Sequence, residues 1–270
     1  MDKIFIKNLE IFARHGVFSE ENALGQKFTV SAELSCSTRS AGRSDDLEKS
    51  VNYADVCALI QRVMTENTFK LIETAAEKIA ESILFAYKNV QSVTVNLKKP
   101  WAPIMLNVKT VGVEIKRSRH TAYIALGSNM GDKNAHLEGA VKEIDANPLC
   151  EVTKVSDFII TKPVSDIEQD DFLNGCIEVV TLLTPHELLD FLHEIEQSHH
   201  RERSLHWGPR TLDLDIIMYD DLTMADDTLV IPHPEAHKRQ FVLEPLAQIA
   251  PFAIHPLKNT HISELLENLK

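Results

Sequence analysis

An α+β protein of two successive domains is what the sequence predicts, and three observations carry that reading. The 270 residues exceed the usual size of one domain. Hydrophobic periodicity switches repeatedly between 2 and about 3.6, so strands and helices interleave along the whole sequence. Charge is unevenly divided: residues 1–118 hold 16 Lys and Arg against 14 Asp and Glu, whereas residues 119–270 hold 12 against 26. The charged tract Lys116-Arg117-Ser118-Arg119-His120 interrupts the pattern, and the boundary is placed there, giving domains 1–118 and 119–270.

In the first half, Ile4 and Ile6 share a face, and Phe28, Val30, Ala32, Leu34 and Cys36 repeat at period two, which predicts a strand pair. A turn-rich stretch over 41–46 follows. Val56, Leu59, Ile60, Val63 and Met64, then Ile72, Ala75, Ala76, Ile79 and Ile83, are spaced for two amphipathic helices. Val93, Val95 and Leu97 alternate again, as do Val111, Val113 and Ile115. The order strand, strand, helix, helix, strand, strand implies an antiparallel sheet backed by helices.

The second half opens directly on a strand over 121–127. It continues with a helix over about 133–146, strands over 152–161 and 172–183, a helix over 185–199, a strand over 212–219 and a helix over about 235–249. That pattern is an α/β sandwich with a mixed or antiparallel sheet.

Composition removes several classes. Hydrophobic residues make up 44% and charged residues 25%, which suits a folded globular protein rather than a disordered or fibrous one. No apolar run reaches the roughly 18–20 residues of a membrane span, and Asp2, Lys3, Lys7, Glu10 and Arg14 do not suit a secretory signal. A cytoplasmic protein without membrane partners is expected. Cys36, Cys57, Cys150 and Cys176 lie far apart with no C-x-x-C pair, so neither a disulfide framework nor a thiolate metal site is suggested. A net charge of -12 argues against a nucleic-acid partner. Neither G-x-G-x-x-G nor G-x-x-x-x-G-K-[ST] occurs, and the twelve histidines include no H-E-x-x-H.

The most informative segment is Trp207-Gly208-Pro209-Arg210-Thr211-Leu212-Asp213-Leu214-Asp215-Ile216-Ile217. In a strand, Leu212, Leu214 and Ile216 point one way while Asp213 and Asp215 share the other face, about 6.5–7 Å apart. Such a pair is either solvated or bridged by cations, and hard carboxylate oxygens suit magnesium carried on a polyphosphate. Residues 163–200 contain no Lys or Arg, after which Arg201, Arg203 and Arg210 arrive within ten positions. Arginine forks match phosphate oxygens bidentately, and Lys238 and Arg239 add to the supply.

Most of residues 121–260 resembles 6-hydroxymethyl-7,8-dihydropterin pyrophosphokinase of folate synthesis. The resemblance is carried by Ala125-Leu126-Gly127-Ser128-Asn129, the Arg201/Arg203 loop, the run from Trp207 to Asp215, and Val230-Ile231-Pro232-His233-Pro234 with Arg239 and Phe241. It implies a ferredoxin-like α/β sandwich that moves the diphosphoryl group of ATP whole to a hydroxymethyl oxygen and releases AMP. By that resemblance Asp213 and Asp215 hold two magnesium ions on ATP. Arg201, Arg203, Arg210, Arg239 and His233 contact phosphates, and Glu196, Trp207 and Arg210 shape the nucleotide region. Thr161 and Pro163 offer the pterin backbone contacts, Asn174 hydrogen-bonds its ring, and Phe172 and Phe241 stack on it. No general base is assigned. His206 stands where the family usually has arginine, and Lys162 where it often has proline.

Residues 1–117 resemble dihydroneopterin aldolase, through Phe12-Ala13-Arg14-His15-Gly16-Val17, Glu20-Glu21-Asn22, Gly25-Gln26, Val51-Asn52-Tyr53, Leu71-Ile72-Glu73 and Lys99-Pro100-Trp101-Ala102-Pro103-Ile104. The resemblance implies a tunnelling fold: a four-stranded antiparallel sheet with two helices that assembles into a homo-oligomer, tetrameric or octameric, with sites between protomers. Glu73 would anchor the pterin, with Val51 and Ile72 beside it. Lys99 and Glu21 would move protons through a bound water, and Tyr53 of a neighbouring subunit would serve the hydroxyl of the substrate's side chain. Lys98 is an alternative register for Lys99, and the loop over 105–109 lacks the usual family glycine. No cofactor is needed in this half, because the dihydropterin's own C=N bond accepts the electron pair. Two other readings of the first half stay open: a pterin epimerase or oxygenase, and a non-catalytic assembly ring.

Overall fold

The computed structural model describes residues 1–163, 169–199 and 210–269. Two compact units are present, Met1–Arg119 and His120–Lys270.

In the first unit, β1 (Asp2–Ala13) leads through α1 (Ser19–Leu24) to β2 (Gln26–Cys36). After α2 (Arg39–Ser44) come α3 (Tyr53–Glu66) and α4 (Ile72–Ala86), then β3 (Val90–Lys99) and β4 (Val111–Ser118). The strands form one sheet in the order β1-β2-β3-β4, with every neighbouring pair antiparallel. Strict alternation places Phe28, Val30, Ala32 and Leu34 of β2, and Val93, Val95 and Leu97 of β3, out of solvent. Val56, Ile60 and Met64 of α3 and Ala75, Ala76, Ile79 and Ile83 of α4 are equally buried, the apolar stripe their spacing predicts. Asn52 starts α3 by accepting the Ala54 N–H at 3.0 Å. The four-stranded sheet and two long helices are as expected.

Three local features differ. α1 and α2, each of six residues, are too short to show a helical period. β1 runs on past Ile6 because a register shift between Ile6 and Leu9, with Asn8 at φ 53°, lets it continue to Ala13. The charged tract around 116–120, in which the first unit ends at Arg119 and the second begins at His120, is itself mostly strand: β4 extends to Ser118, Arg117 pairs with Glu77, and Arg119 donates to the Leu84 and Val90 carbonyls.

The second unit runs β5 (His120–Ser128), α5 (Lys133–Ala146), β6 (Cys150–Val155), β7 (Ile159–Thr161), β8 (Phe172–Thr181), α6 (Pro185–Ser198) and β9 (Asp213–Tyr219). β10 (Met224–Ala225), β11 (Val230–Ile231), α7 (Gln240–Ile249), β12 (Ile254–His255), β13 (Thr260–His261) and α8 (Ile262–Glu267) follow. The main sheet has the order β6-β8-β5-β9, antiparallel throughout, with β7 also on β8. A β-α-β-β-α-β path giving that order is a ferredoxin-like sandwich. Leu137, Ala140 and Ile144 of α5 and Leu188, Leu192 and Ile195 of α6 share a core with Ile124, Leu126, Val179 and Leu214. α7 packs Val242, Leu243 and Leu246 with Cys176, Ile217 and Met218 in a second core, so helices cover both faces of the sheet.

The strand expected over 152–161 is split. Ser156 leaves the ladder, its N–H donating to the Cys176 carbonyl and its Oγ accepting the Cys176 N–H, both at 2.9 Å. Phe158 then lies against Gly175, where a Cβ would come within 2.5 Å of its ring. The helix expected from 235 starts instead at Gln240, after a short 3-10 turn over Ala236–Lys238.

Candidate active sites

The first site is built where β1, α1 and β3 end together. Alternation along β3 puts Lys99 on the buried face with Val93, Val95 and Leu97, while Lys98 falls on the other. Lys99 Nζ lies 2.6 Å from Glu21 Oε1, both residues almost wholly buried. Glu21 also accepts from Gln26 Nε2 at 3.0 Å and from the Phe18 N–H at 3.2 Å. Burial pushes the Glu21 carboxyl up, but the hydrogen bonds from Lys99, Phe18 and Gln26 outweigh it and hold the group below its ordinary range. The glutamate fits because residue 16 is glycine at φ +150°, where a Cβ would meet the Glu21 carboxylate at 2.2 Å.

Val51 is buried just before α3, and Tyr53 is the first residue of that helix, 66% exposed. Ile72 and Glu73 lie in the first turn of α4, Glu73 exposed. The unit therefore brings Lys99, Glu21 and Gln26 into one buried cluster and leaves Tyr53 and Glu73 facing solvent. Gln26 and Gly16 belong to motifs visible in the sequence, but nothing in their spacing shows that they close on Glu21.

The second site lies where β5, β8 and β9 run side by side. β9 buries Leu214 and Ile216 and turns Asp213 and Asp215 to its other, partly exposed face. Across the ladder Asp213 faces Gly127 and Asp215 faces Ala125, both small residues. Arg210 Nη1 pairs with Asp213 Oδ2 at 2.6 Å. Glu196, buried on α6, accepts the Leu214 N–H at 2.8 Å and so helps to fix β9. Asn129 locks Arg210 in place: its N–H donates to the Arg210 carbonyl at 3.0 Å and its Oδ1 accepts the Arg210 N–H at 2.7 Å. Sequence reasoning gave Asn129 no role beyond its motif.

Asn174 is buried on β8 and donates from Nδ2 to Thr161 Oγ1 at 2.6 Å, which brings those two expected residues together. Phe172 opens β8, Pro163 follows β7, and both are partly buried. Arg239 caps the start of α7 with its guanidinium 5.8 Å from the Phe241 ring. His233 follows the cis Ile231–Pro232 bond; its N–H donates to the Ile217 carbonyl at 2.9 Å and its Nδ1 accepts the Glu235 N–H at 3.1 Å. Arg201, Arg203, His206 and Trp207 lie outside the described residues. Among the described residues no group of three or more His, Cys, Asp or Glu gathers as a metal cluster, and no helix is long and apolar enough to cross a membrane.

Each unit thus carries one polar cluster on an antiparallel α+β frame, the first of acid–base type and the second a carboxylate pair beside arginine. Residues 4–116 match the family model for dihydroneopterin aldolase, and residues 123–251 that for 7,8-dihydro-6-hydroxymethylpterin-pyrophosphokinase. The "Bifunctional protein FolKE" of Lactococcus lactis is 50% identical over 129 residues, 48% of this chain and 37% of that protein. The 2-amino-4-hydroxy-6-hydroxymethyldihydropteridine pyrophosphokinase of Bacillus subtilis is 44% identical over 128 residues, 47% of this chain and 77% of that one. "Folic acid synthesis protein FOL1" of Dictyostelium discoideum is 31% identical over 298 residues, all of this chain and 45% of that protein. The present protein spans less than half the length of these longer relatives. It belongs to the hydroxymethyldihydropterin pyrophosphokinase family through its second unit, and its first unit matches the dihydroneopterin aldolase family model over nearly its whole length.

Proposed function

We propose that this protein performs two consecutive steps of folate biosynthesis, with the aldolase site in residues 1–118 and the pyrophosphokinase site in residues 119–270. In the first, a carbon–carbon bond in the substituent on the ring of 7,8-dihydroneopterin breaks. Its electron pair enters the ring C=N bond, a hydroxyl proton is lost as glycolaldehyde leaves, and a proton returns to the carbon that becomes the hydroxymethyl group. The observation that carries this reading is the buried Lys99–Glu21 pair at 2.6 Å, a proton donor and an acceptor shielded from bulk water. Glu73 binds the ring N–H and exocyclic amine, with Val51 and Ile72 beside it, and Tyr53 of a neighbouring subunit meets the hydroxyl of the substituent. The exposure of Tyr53 and Glu73 in a single protomer supports a homo-oligomer, tetrameric or octameric, whose sites close between protomers.

In the second step the hydroxymethyl oxygen of 6-hydroxymethyl-7,8-dihydropterin attacks the β-phosphorus of ATP, and AMP leaves with the electrons of the broken P–O bond. Two carboxylates on one face of β9, opposite glycine and alanine, are a donor set of the hard-oxygen kind that suits magnesium. Magnesium bound there with ATP would neutralise developing phosphate charge. Arg210 and Arg239, together with Arg201 and Arg203, hold phosphate oxygens, and His233 presents its ring to them. Glu196 and Trp207 shape the nucleotide region. Thr161, Pro163, Asn174, Phe172 and Phe241 seat the pterin. Positioning and electrostatics supply the rate enhancement without a covalent intermediate.

The test is to incubate the purified protein with 7,8-dihydroneopterin, magnesium and ATP and to follow glycolaldehyde, AMP and the pterins together. Glycolaldehyde lost in Lys99→Ala and AMP lost in Asp213→Ala are the expected results. AMP released only when hydroxymethyldihydropterin is supplied would remove the aldolase assignment, and an epimerised or oxidised pterin would replace it.

A further inference from the structure

His15 has no part in the chemistry above, yet it is completely buried beside the Lys99–Glu21 pair. Its ring stacks on Phe69, with centroids 5.2 Å apart at 30°, and meets the edge of Phe28 at 5.2 Å. An aromatic of similar size would satisfy that packing, so the two nitrogens need another reason. Nδ1 accepts the Phe69 N–H at 3.1 Å, while the Gly16 N–H donates to the Phe69 carbonyl at 3.0 Å. Residues 15 and 16 are therefore bonded twice to Phe69, which lies in the segment leading into α4 and the Ile72-Glu73 turn. The same two residues adjoin the acid–base pair: Lys99 Nζ reaches the His15 carbonyl at 3.5 Å, and the Glu21 carboxylate occupies the space that a Cβ at Gly16 would take.

We infer that His15 is a positioning residue for the first site, a clamp whose Nδ1 bond to Phe69 holds the Lys99–Glu21 pair in register with the segment that presents Glu73. Because Nδ1 accepts, a neutral ring carries its proton on Nε2, the buried nitrogen on which the Met64 carbonyl acts. Burial first, and the Lys99 charge second, push the imidazole below its usual range, the Met64 carbonyl opposing them only weakly, so the neutral ring is the form present near pH 7. A clamp that charged there would repel the Lys99 ammonium. The neutral ring avoids this.

The inference rests on the aldolase reading, and its test separates the two. In the full-length protein, His15→Phe keeps the packing and removes the acceptor, whereas His15→Asn restores an acceptor near the position of Nδ1. The expected result is a retro-aldol kcat lowered about 10- to 100-fold in His15→Phe, the scale of loss for a misplaced catalytic group. KM should change by less than about 3-fold, and His15→Asn should recover most of kcat. AMP formation from supplied hydroxymethyldihydropterin, measured on the same samples, stays at the wild-type rate if the variants fold. Acylation of Lys99 by acetic anhydride, followed by mass spectrometry, reads the pair without turnover; it should quicken several-fold in His15→Phe and not in His15→Asn. A His15→Phe enzyme that retains kcat and wild-type Lys99 labelling overturns the clamp. If the wild-type protein releases no glycolaldehyde, the aldolase reading falls, and the labelling pattern alone decides whether His15 positions Lys99.

Discussion

Glycine at position 16 is the smallest feature on which the first site depends. Its φ of +150° and the 2.2 Å from a would-be Cβ to the Glu21 carboxylate leave no room for a larger residue. Gly16→Ala should therefore displace Glu21 and destabilise the fold by about 1–3 kcal/mol, read as a drop in the urea midpoint together with lost glycolaldehyde release. An alanine variant with an unchanged midpoint would show that Glu21 is not held there. The same carboxylate sets a pH signature. Because its folded value lies below the ordinary one, its contribution to stability is complete above the usual glutamate range and is lost as pH falls through the lower folded value. Lys99→Met removes the partner and leaves the burial, so the folded value rises toward or past the ordinary one and the thermal stability lost on acidification should be smaller than in wild type. Identical acid limbs in melting curves from about pH 7 to 3 would contradict the pairing. At this scale the sequence was partly legible: Glu21, Lys99, Asp213 and Asp215 stand out, but the Lys98/Lys99 ambiguity needed the register of β3, and the closure of Gln26 and His15 on the site is a tertiary fact with no local signal.

Elements with a long period were readable because burial imposes the period. α5, expected over 133–146, is Lys133–Ala146, and α6 starts at Pro185 where Thr184 and Glu187 form a capping box. What escaped were pieces too short to repeat, such as α1 and the two-residue strands β10 to β13, and the split at Ser156 that only the partner strand explains. Strand order matters most for the second site. β5 lies between β8 and β9, so Gly127 faces Asn174 on one side and Asp213 on the other. A Cβ at 127 would stand 3.1 Å from Asn174 Oδ1 and 3.9 Å from the Asp213 Cβ, which makes this glycine the spacer between the proposed pterin and phosphate ends. Gly127→Val should lower AMP formation about 100-fold while the aldolase rate stays as it was, since a displacement near 1 Å suffices for such a loss. Retained AMP formation would mean that Asn174 and Asp213 do not act on one bound pair of substrates.

For the whole molecule, the decisive issue is whether a single protomer completes a site. The second unit groups Asp213, Asp215, Asn174 and Thr161 on neighbouring strands, with Arg210 just ahead of β9, whereas the first leaves Tyr53 at the first residue of α3, 66% exposed. If Tyr53 serves the site of a neighbour, two defects on different protomers can compensate. A Lys99→Ala protomer still offers Tyr53, and a Tyr53→Phe protomer still offers the Lys99–Glu21 pair. Co-expressed in equal amounts, the two inactive variants should form mixed oligomers in which about a quarter of the sites have both groups intact, and glycolaldehyde release should recover to about that fraction. Asp213→Ala mixed with either one should give no such recovery of AMP formation beyond its partner's own share, because the carboxylate pair belongs to one strand. Mixed oligomers of the first pair that stay at the level of the separate variants would place Tyr53 in the site of its own protomer and remove the reason for assembly.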